Sequence, residues 1–313
     1  MTSKFQLLKN EKKSNGPLLL SAMSYALNCD YIICDRFDNS YNVSQLHIDL
    51  DELNKLINGS KLFLNGTRLQ EFIEPLVNYF RQRSLQLIFF INNVEPHIKP
   101  ELLTALLPFS INIYVCNNNI SSPKIHHLPI GLRDPEEVHS NHKNFSHKTI
   151  IAEKNNSNIL KEQLCLLCFT INGYIQERIK CYQELSSKAF VTNLNNKQFT
   201  EKNTSIHCGQ VPVWIFYNEA HRSKYTLAPV GTGFDTHRFY EALYLDSIPI
   251  VKRTRTHFDT LYNAFPCLIV NEWSDISEEL LNKEYDKLYK KLTEFNEKYK
   301  NWFQDPDVLL SLF

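Results

Sequence analysis

Two series of short, largely apolar runs, each broken by stretches with helical spacing, constrain this chain more than any other feature. The first series is Tyr31–Cys34 (YIIC), Lys61–Leu64 (KLFL), Gln86–Ile91 (QLIFFI) and Ile111–Cys116 (INIYVC), with helical periodicity over Leu69–Arg83 and Pro100–Leu107. Runs this short and apolar on both faces suit strands buried in a parallel sheet, and the intervening helices suit right-handed βαβ crossovers. Pro129–Leu132 closes this half, and the polar stretch Arg133–Lys148 is predicted as a linker. The second series has strands at Gln163–Thr170, Ala189–Thr192, Lys224–Val230, Ile248–Val251 and Cys267–Val270. Its helices are predicted at Ile175–Leu185, Thr236–Leu245 and His257–Asn263, with an Asn/Lys/Thr-rich loop before residue 205. Asp275-Ile-Ser-Glu278 has capping-box spacing and opens a charged amphipathic helix reaching Lys300. The expectation is an α/β protein of two Rossmann-like domains facing a central cleft, with ligands beyond the carboxyl ends of the strands.

Charge excludes some partners. Lys plus Arg and Asp plus Glu both number 34, so no global field draws the chain to nucleic acid or anionic lipid. No apolar run approaches membrane-spanning length, and Met1–Phe5 lacks a signal-peptide core. The eight cysteines are scattered through apolar runs; Cys165 and Cys168 have CxxC spacing, but no second pair follows at zinc-site spacing. The sequons at Asn58, Asn65 and Asn144 reflect an asparagine-rich composition. A reduced, cytoplasmic protein is expected.

The chain has only eight glycines, and two of them fall in LAPVGTGFDTHRFYEALYLDSIPIVKR, residues 227 to 253. As strand, loop, helix and strand, this stretch is one βαβ unit. Gly231, Thr232 and Gly233 let backbone N–H groups turn inward, and Asp235 or Thr236 can cap the helix, whose free N–H groups favour an anion. Arg238 in the first turn, after His237, can add a bidentate contact to phosphate, while Glu241 on the same face suits a ribose diol. The plainer alternative is a turn followed by a surface i,i+3 ion pair. No Gly-Lys-Ser/Thr follows, and Thr236 stands where a GxGxxG would need its third glycine, which disfavours an NAD-binding oxidoreductase.

The segment SKYTLAPVGTGFDTHRFYEALYLDSIPIVKRTRTHFDTLYNAFPCLIV resembles the donor-binding half of exostosin-like glycosyltransferases, glycosyltransferase family 47. Ser223, Lys224, Tyr225, Pro229, Arg238, Glu241, Ala242 and Ile248–Val251 carry the resemblance; Asp246 departs from it, replacing the usual Gly. It implies a GT-B architecture and an inverting, metal-independent enzyme moving a sugar, xylose being one candidate, from a UDP-sugar to a glycan hydroxyl. It further implies an acceptor-binding domain over 1–140, a nucleotide-sugar domain over 148–300 and a segment 301–313 packing back on the first domain. LCFTINGYIQERIKCYQEL resembles the family's first donor-domain strand and helix, which would bring Thr170 and Asn172 to the cleft and make Arg178 a second cation for the diphosphate. Asn193 would lie near the base of the nucleotide. No cofactor or metal beyond the donor substrate is implied.

Inverting transfer needs a general base for the acceptor hydroxyl, and Arg238, Arg178 and a helix N-terminus can stabilise the leaving diphosphate. In LIFFINNVEPHI, Glu95 stands where the family carries Asp and is the expected base, with Asp35 and Asp38 as competitors. His126 and His127 are expected to be structural. A catalytically degenerate protein that binds nucleotide or glycan is the alternative.

Overall fold

A computed structural model describes residues 19–33, 53–66, 69–92, 94, 98–133, 147–156, 159–171, 175–195 and 211–313. The chain divides into two compact units, Met1–Ile130 with Gln304–Phe313, and Gly131–Phe303. Both are α/β units built on five-stranded parallel sheets.

In the first unit β1 (Tyr31–Ile33), β2 (Lys61–Asn65), β3 (Leu87–Asn92), β4 (Ser110–Val115) and β5 (Ile125–His127) lie side by side in chain order. Helix α1 (Ala22–Leu27) precedes β1; α2 (Leu69–Arg83) and α3 (Pro100–Leu106) connect the next strands. The pleat explains why QLIFFI is apolar throughout: adjacent side chains point to opposite faces, and both faces are covered. Phe89 packs on Phe80 of α2, ring centroids 5.8 Å apart, while Phe90 stacks on Tyr25 of α1 at 6.3 Å and on Tyr114 of β4 at 5.2 Å. The last helix of the chain, α10 (Pro306–Leu310), belongs to this unit. It buries Leu309 and Leu310, pairs Asp307 with Lys61 at 2.9 Å, and is followed by Phe313, whose ring meets that of His127.

In the second unit the sheet order is β10-β9-β8-β6-β7, with β6 (Gln163–Leu167), β7 (Val191–Asn193), β8 (Ser223–Leu227), β9 (Ile248–Lys252) and β10 (Leu268–Val270). The helices are α4 (His147–Lys154), α5 (Ile175–Leu185), α6 (Val213–Arg222), α7 (His237–Tyr244), α8 (Asp259–Asn263) and α9 (Glu278–Lys298). The strands at Gln163 and Lys224 end earlier than expected because the chain leaves the ladder before the apolar run ends, and the strand expected at Ala189–Thr192 is shifted to Val191–Asn193. Two helices of this unit are not expected from the sequence, as α1 is not in the first: α4 begins inside the expected linker, and α6 follows the Asn/Lys/Thr-rich loop. The capping signal at Asp275 also resolves differently. Asp275 ends a short 3₁₀ turn, and Ser277 caps α9 by accepting from the Leu280 N–H at 3.1 Å. Among the described residues no helix is long and apolar enough to cross a membrane.

Candidate functional site

Strand order places the site. In the second unit the chain moves outward from β6 to β7, then returns and proceeds from β8 through β9 to β10 on the other side. The carboxyl ends of β6 and β8 therefore flank a topological switch point, where the loops diverge and open a crevice. The β6 loop carries Thr170, the β8 loop runs from Ala228 to Thr236, and both are described up to Ile171 and through α7 respectively.

Arg178, in the first turns of α5, spans the two loops. Its Nε donates to the Val230 carbonyl at 2.8 Å and its Nη1 donates to the Thr170 carbonyl. The guanidinium passes so close to Gly231 that a Cβ there would stand 2.6 Å from Nη2. Gly231 is thus explained by the passage of an arginine and not by its own dihedral angles. The bonds to Val230 and Thr170 fix Arg178 between the two loops. Behind it, the buried Asn195 amide holds Phe169 from both sides, accepting from its N–H at 3.1 Å and donating to its carbonyl at 2.9 Å. Asn193 accepts from the Asn195 N–H at 2.9 Å and so steadies that turn. Asn195 was invisible in sequence, being one asparagine in an asparagine-rich run.

The start of α7 departs from the expected capping. Thr236 is the N-cap, with extended backbone, but makes no side-chain cap bond, and its Oγ1 is buried without a hydrogen-bond partner. Asp235 turns inward: one carboxylate oxygen accepts from the Thr236 N–H at 3.0 Å and the other from the Tyr240 hydroxyl at 2.7 Å. Its charge shapes the loop instead of capping the helix. The loop closes through the Gly231 N–H donating to Gly233 O at 3.0 Å and the Tyr262 hydroxyl donating to Phe234 O at 2.9 Å. Thr232 is exposed between the two glycines. His237 donates through Nδ1 to the Gly131 carbonyl at 2.8 Å, which assigns the ring proton to that nitrogen.

Arg238 and Glu241 are not the surface pair of the plainer reading. The Arg238 side chain is 20% exposed and that of Glu241 only 5%. The guanidinium lies 3.4 Å from the ring centroid of Phe216 on α6, and Nη1 is 3.4 Å from Glu241 Oε2. That approach pairs the charges, yet Arg238 Nε and Nη1 are buried and make no hydrogen bond. The Tyr217 hydroxyl is 3.5 Å from the other Glu241 oxygen, and burial first, then the Glu241 charge, raises its pKa well above the ordinary phenol value. Leaving a buried donor unmade costs on the order of 1–3 kcal/mol. A guanidinium with two such donors, at the mouth of a helix whose first N–H groups lack intrahelical partners, has the chemistry to receive an anion.

Phe216 and Tyr217 had a readable signal that sequence reasoning passed over: PVWIFYNEAHR places apolar residues at helical spacing. Asn172, Glu95, Asp35 and Asp38 lie outside the described residues. Among the described residues no cluster of three or more His, Cys, Asp or Glu side chains can hold a metal ion. Cys165, Cys168, Cys181 and Cys267 are buried, and burial pushes the thiols of Cys165 and Cys181 far up and that of Cys267 to about 12.

No protein-family model and no curated protein matches the sequence. Among solved structures, the chain is similar to an alpha,alpha-trehalose-phosphate synthase (UDP-forming) from Burkholderia vietnamiensis, with 9% identity over 84% of this chain and 73% of that one, TM-score 0.45. It is also similar to a trehalose-6-phosphate structure from E. coli bound with UDP-2-fluoro glucose, with 12% identity over 87% and 80%, TM-score 0.43. A third is the N-terminal domain of Candida albicans trehalose-6-phosphate phosphatase, with 12% identity over 78% and 69%, TM-score 0.42. With TM-scores below 0.5, no activity is carried from them to this chain.

Proposed function

We propose that this chain is a glycosyltransferase of GT-B type that takes its sugar from a UDP-sugar, by an inverting and metal-independent route, and transfers it to a glycan hydroxyl in the cytoplasm. The observation that carries the reading is the buried Arg238 guanidinium, with two donors unspent, beside the uncapped start of α7. A diphosphate supplies what both lack. Its oxygens would accept from Arg238 and from N–H groups of the loop and helix start other than those of Gly231 and Thr236, which the loop itself uses. As the glycosidic bond to the nucleotide breaks, charge grows on those same oxygens, where fixed donors in a dry setting stabilise it most. Glu241, held by Arg238 on one side and Tyr217 on the other, would accept hydrogen bonds from the ribose diol. Thr170, Asn172, Arg178, Asn193, Thr232 and Asp235 complete the proposed donor site, Arg178 as a second cation and Asp235 through the loop it shapes. Glu95 is the proposed general base, with Asp35 and Asp38 as the other carboxylates, and xylose remains a candidate sugar.

Titration calorimetry of UDP and GDP, with and without EDTA, tests this on the native protein and on Arg238→Ala. UDP binding that survives EDTA and is lost in the variant is the expected result. Binding of neither nucleotide, or UDP binding indifferent to Arg238, would sink the proposal.

A further inference from the structure

At the opposite end of the second unit's strands lies an open cavity of about 580 Å³, lined by Asp246, Tyr289, Thr293, Asn296, Glu297 and Lys300. Asp246 follows α7 and precedes β9, so the cavity sits at the amino end of the strand, whereas the Arg238 site lies at the other end of α7. Eight helical residues separate the two by roughly 12 Å of rise, which makes them distinct sites.

We propose that this cavity binds a neutral oligosaccharide. Tyr289 is 37% exposed although its ring stacks on Tyr285, centroids 5.4 Å apart, and so it offers an aromatic face at the cavity wall. Such a face is apolar over its body and polar at its tip, which matches the mixed surface of a pyranose. Around it stand the groups that read hydroxyls: a carboxylate, an amide, a threonine hydroxyl and a lysine. Asn296 is fixed between two neighbours, donating to Asp246 Oδ1 at 3.4 Å and accepting from Trp302 Nε1 at 3.2 Å. Asp246 is also paired with Lys154, and Glu297 shares the rim with Lys300, so neither sign of charge is in excess and a charged partner is disfavoured.

Asp246 anchors one wall. Its φ is +55°, a left-handed conformation that aspartate adopts more readily than most residues. Its two carboxylate oxygens take Lys154 and Asn296, so this wall is fixed before a ligand arrives.

A glycan array carrying neutral, sialylated and sulfated glycans tests the proposal with three variants: Tyr289→Ala, Tyr289→Phe and Asp246→Gly. Asp246→Gly places at this left-handed position a residue that adopts it freely, so thermal melting should show it folded. Binding to neutral glycans is expected, falling at least tenfold in Tyr289→Ala and Asp246→Gly and persisting in Tyr289→Phe. UDP binding, measured on the same samples, should not change, which separates failure of this site from failure of the nucleotide reading. Binding to no glycan, binding only to charged glycans, or neutral binding that survives both disruptive variants would overturn it.

Discussion

Arg178 and Gly231 occupy each other's space: the guanidinium runs where a β-carbon on residue 231 would be, and in doing so reaches the carbonyls of Val230 and Thr170. One arginine thereby holds the loops after β6 and β8 at a fixed spacing across the switch point. Gly231→Ala forces the guanidinium off at least one carbonyl, at a cost of about 1–3 kcal/mol in stability. In an Arg178→Ala background the same substitution should cost far less. Urea denaturation of the four proteins in that double-mutant cycle measures the coupling, and additive effects would refute it.

Phe216 supports Arg238 from a helix that sequence periodicity alone could have revealed. Phe216→Leu keeps the apolar volume but removes the π-face, worth about 0.5–2 kcal/mol for a desolvated cation. UDP affinity should fall several-fold, and Arg238→Lys should be nearly as damaging as Arg238→Ala, since a lysine cannot reproduce the flat, forked contact. Calorimetry on the three variants checks both statements.

Glu241 should read the ribose and not the phosphates. Native protein is expected to prefer UDP over 2′-deoxy-UDP by about tenfold, equivalent to 1.4 kcal/mol. Glu241→Gln should shrink that ratio while leaving inorganic diphosphate binding intact or improved, because it removes a negative charge near the anion. A ratio that does not change would exclude Glu241 from the diol.

Lys161 gives a pH prediction. Its ammonium donates to the carbonyls of His221 at 2.6 Å and Leu245 at 3.0 Å, the C-terminal ends of α6 and α7. Burial pulls its pKa from 10.5 down to about 7, partly opposed by the charge of Asp246. Between those two values the unfolded chain binds the proton and the folded chain does not. Stability from this residue therefore rises with pH from about 7 toward 10, by up to about 1.4 kcal/mol per unit. Above about 9 the buried thiols of Cys165, Cys181 and Cys267, and above 10 the tyrosines Tyr217 and Tyr262, oppose the trend through their raised pKa values. Denaturation of Lys161→Met should show a flatter profile from about pH 7 to 8.5; an unchanged slope would refute the assignment.

Much of this architecture is legible in the chain's strings of apolar residues, because strands buried on both faces leave no alternation to misread. QLIFFI and SIPIV announce themselves in this way, and the βαβ unit around Gly231 follows from its flanks. The contents of the site are less legible. Spacing placed Arg238 and Glu241 on one face of a helix, but only packing tells a buried, under-bonded arginine from a solvated one. Arg178 reads in sequence as a free cation, whereas its donors go to two carbonyls brought close by the sheet order. Asp235 and Thr236 both have capping chemistry, and the choice between cap and loop brace depends on Tyr240, whose contact no local pattern foretells.

The return of Gln304–Phe313 to the first unit also has a bearing on how the protein is made. A chain emerging from the ribosome completes its second unit before the residues that finish the first have been synthesised. Until Asp307 reaches Lys61 and Phe313 reaches His127, the earlier half must wait with its edge unfinished. The usual order, in which the N-terminal body folds first and the rest follows, is thereby inverted, and the first unit is sealed only after Gln304–Phe313 has been made.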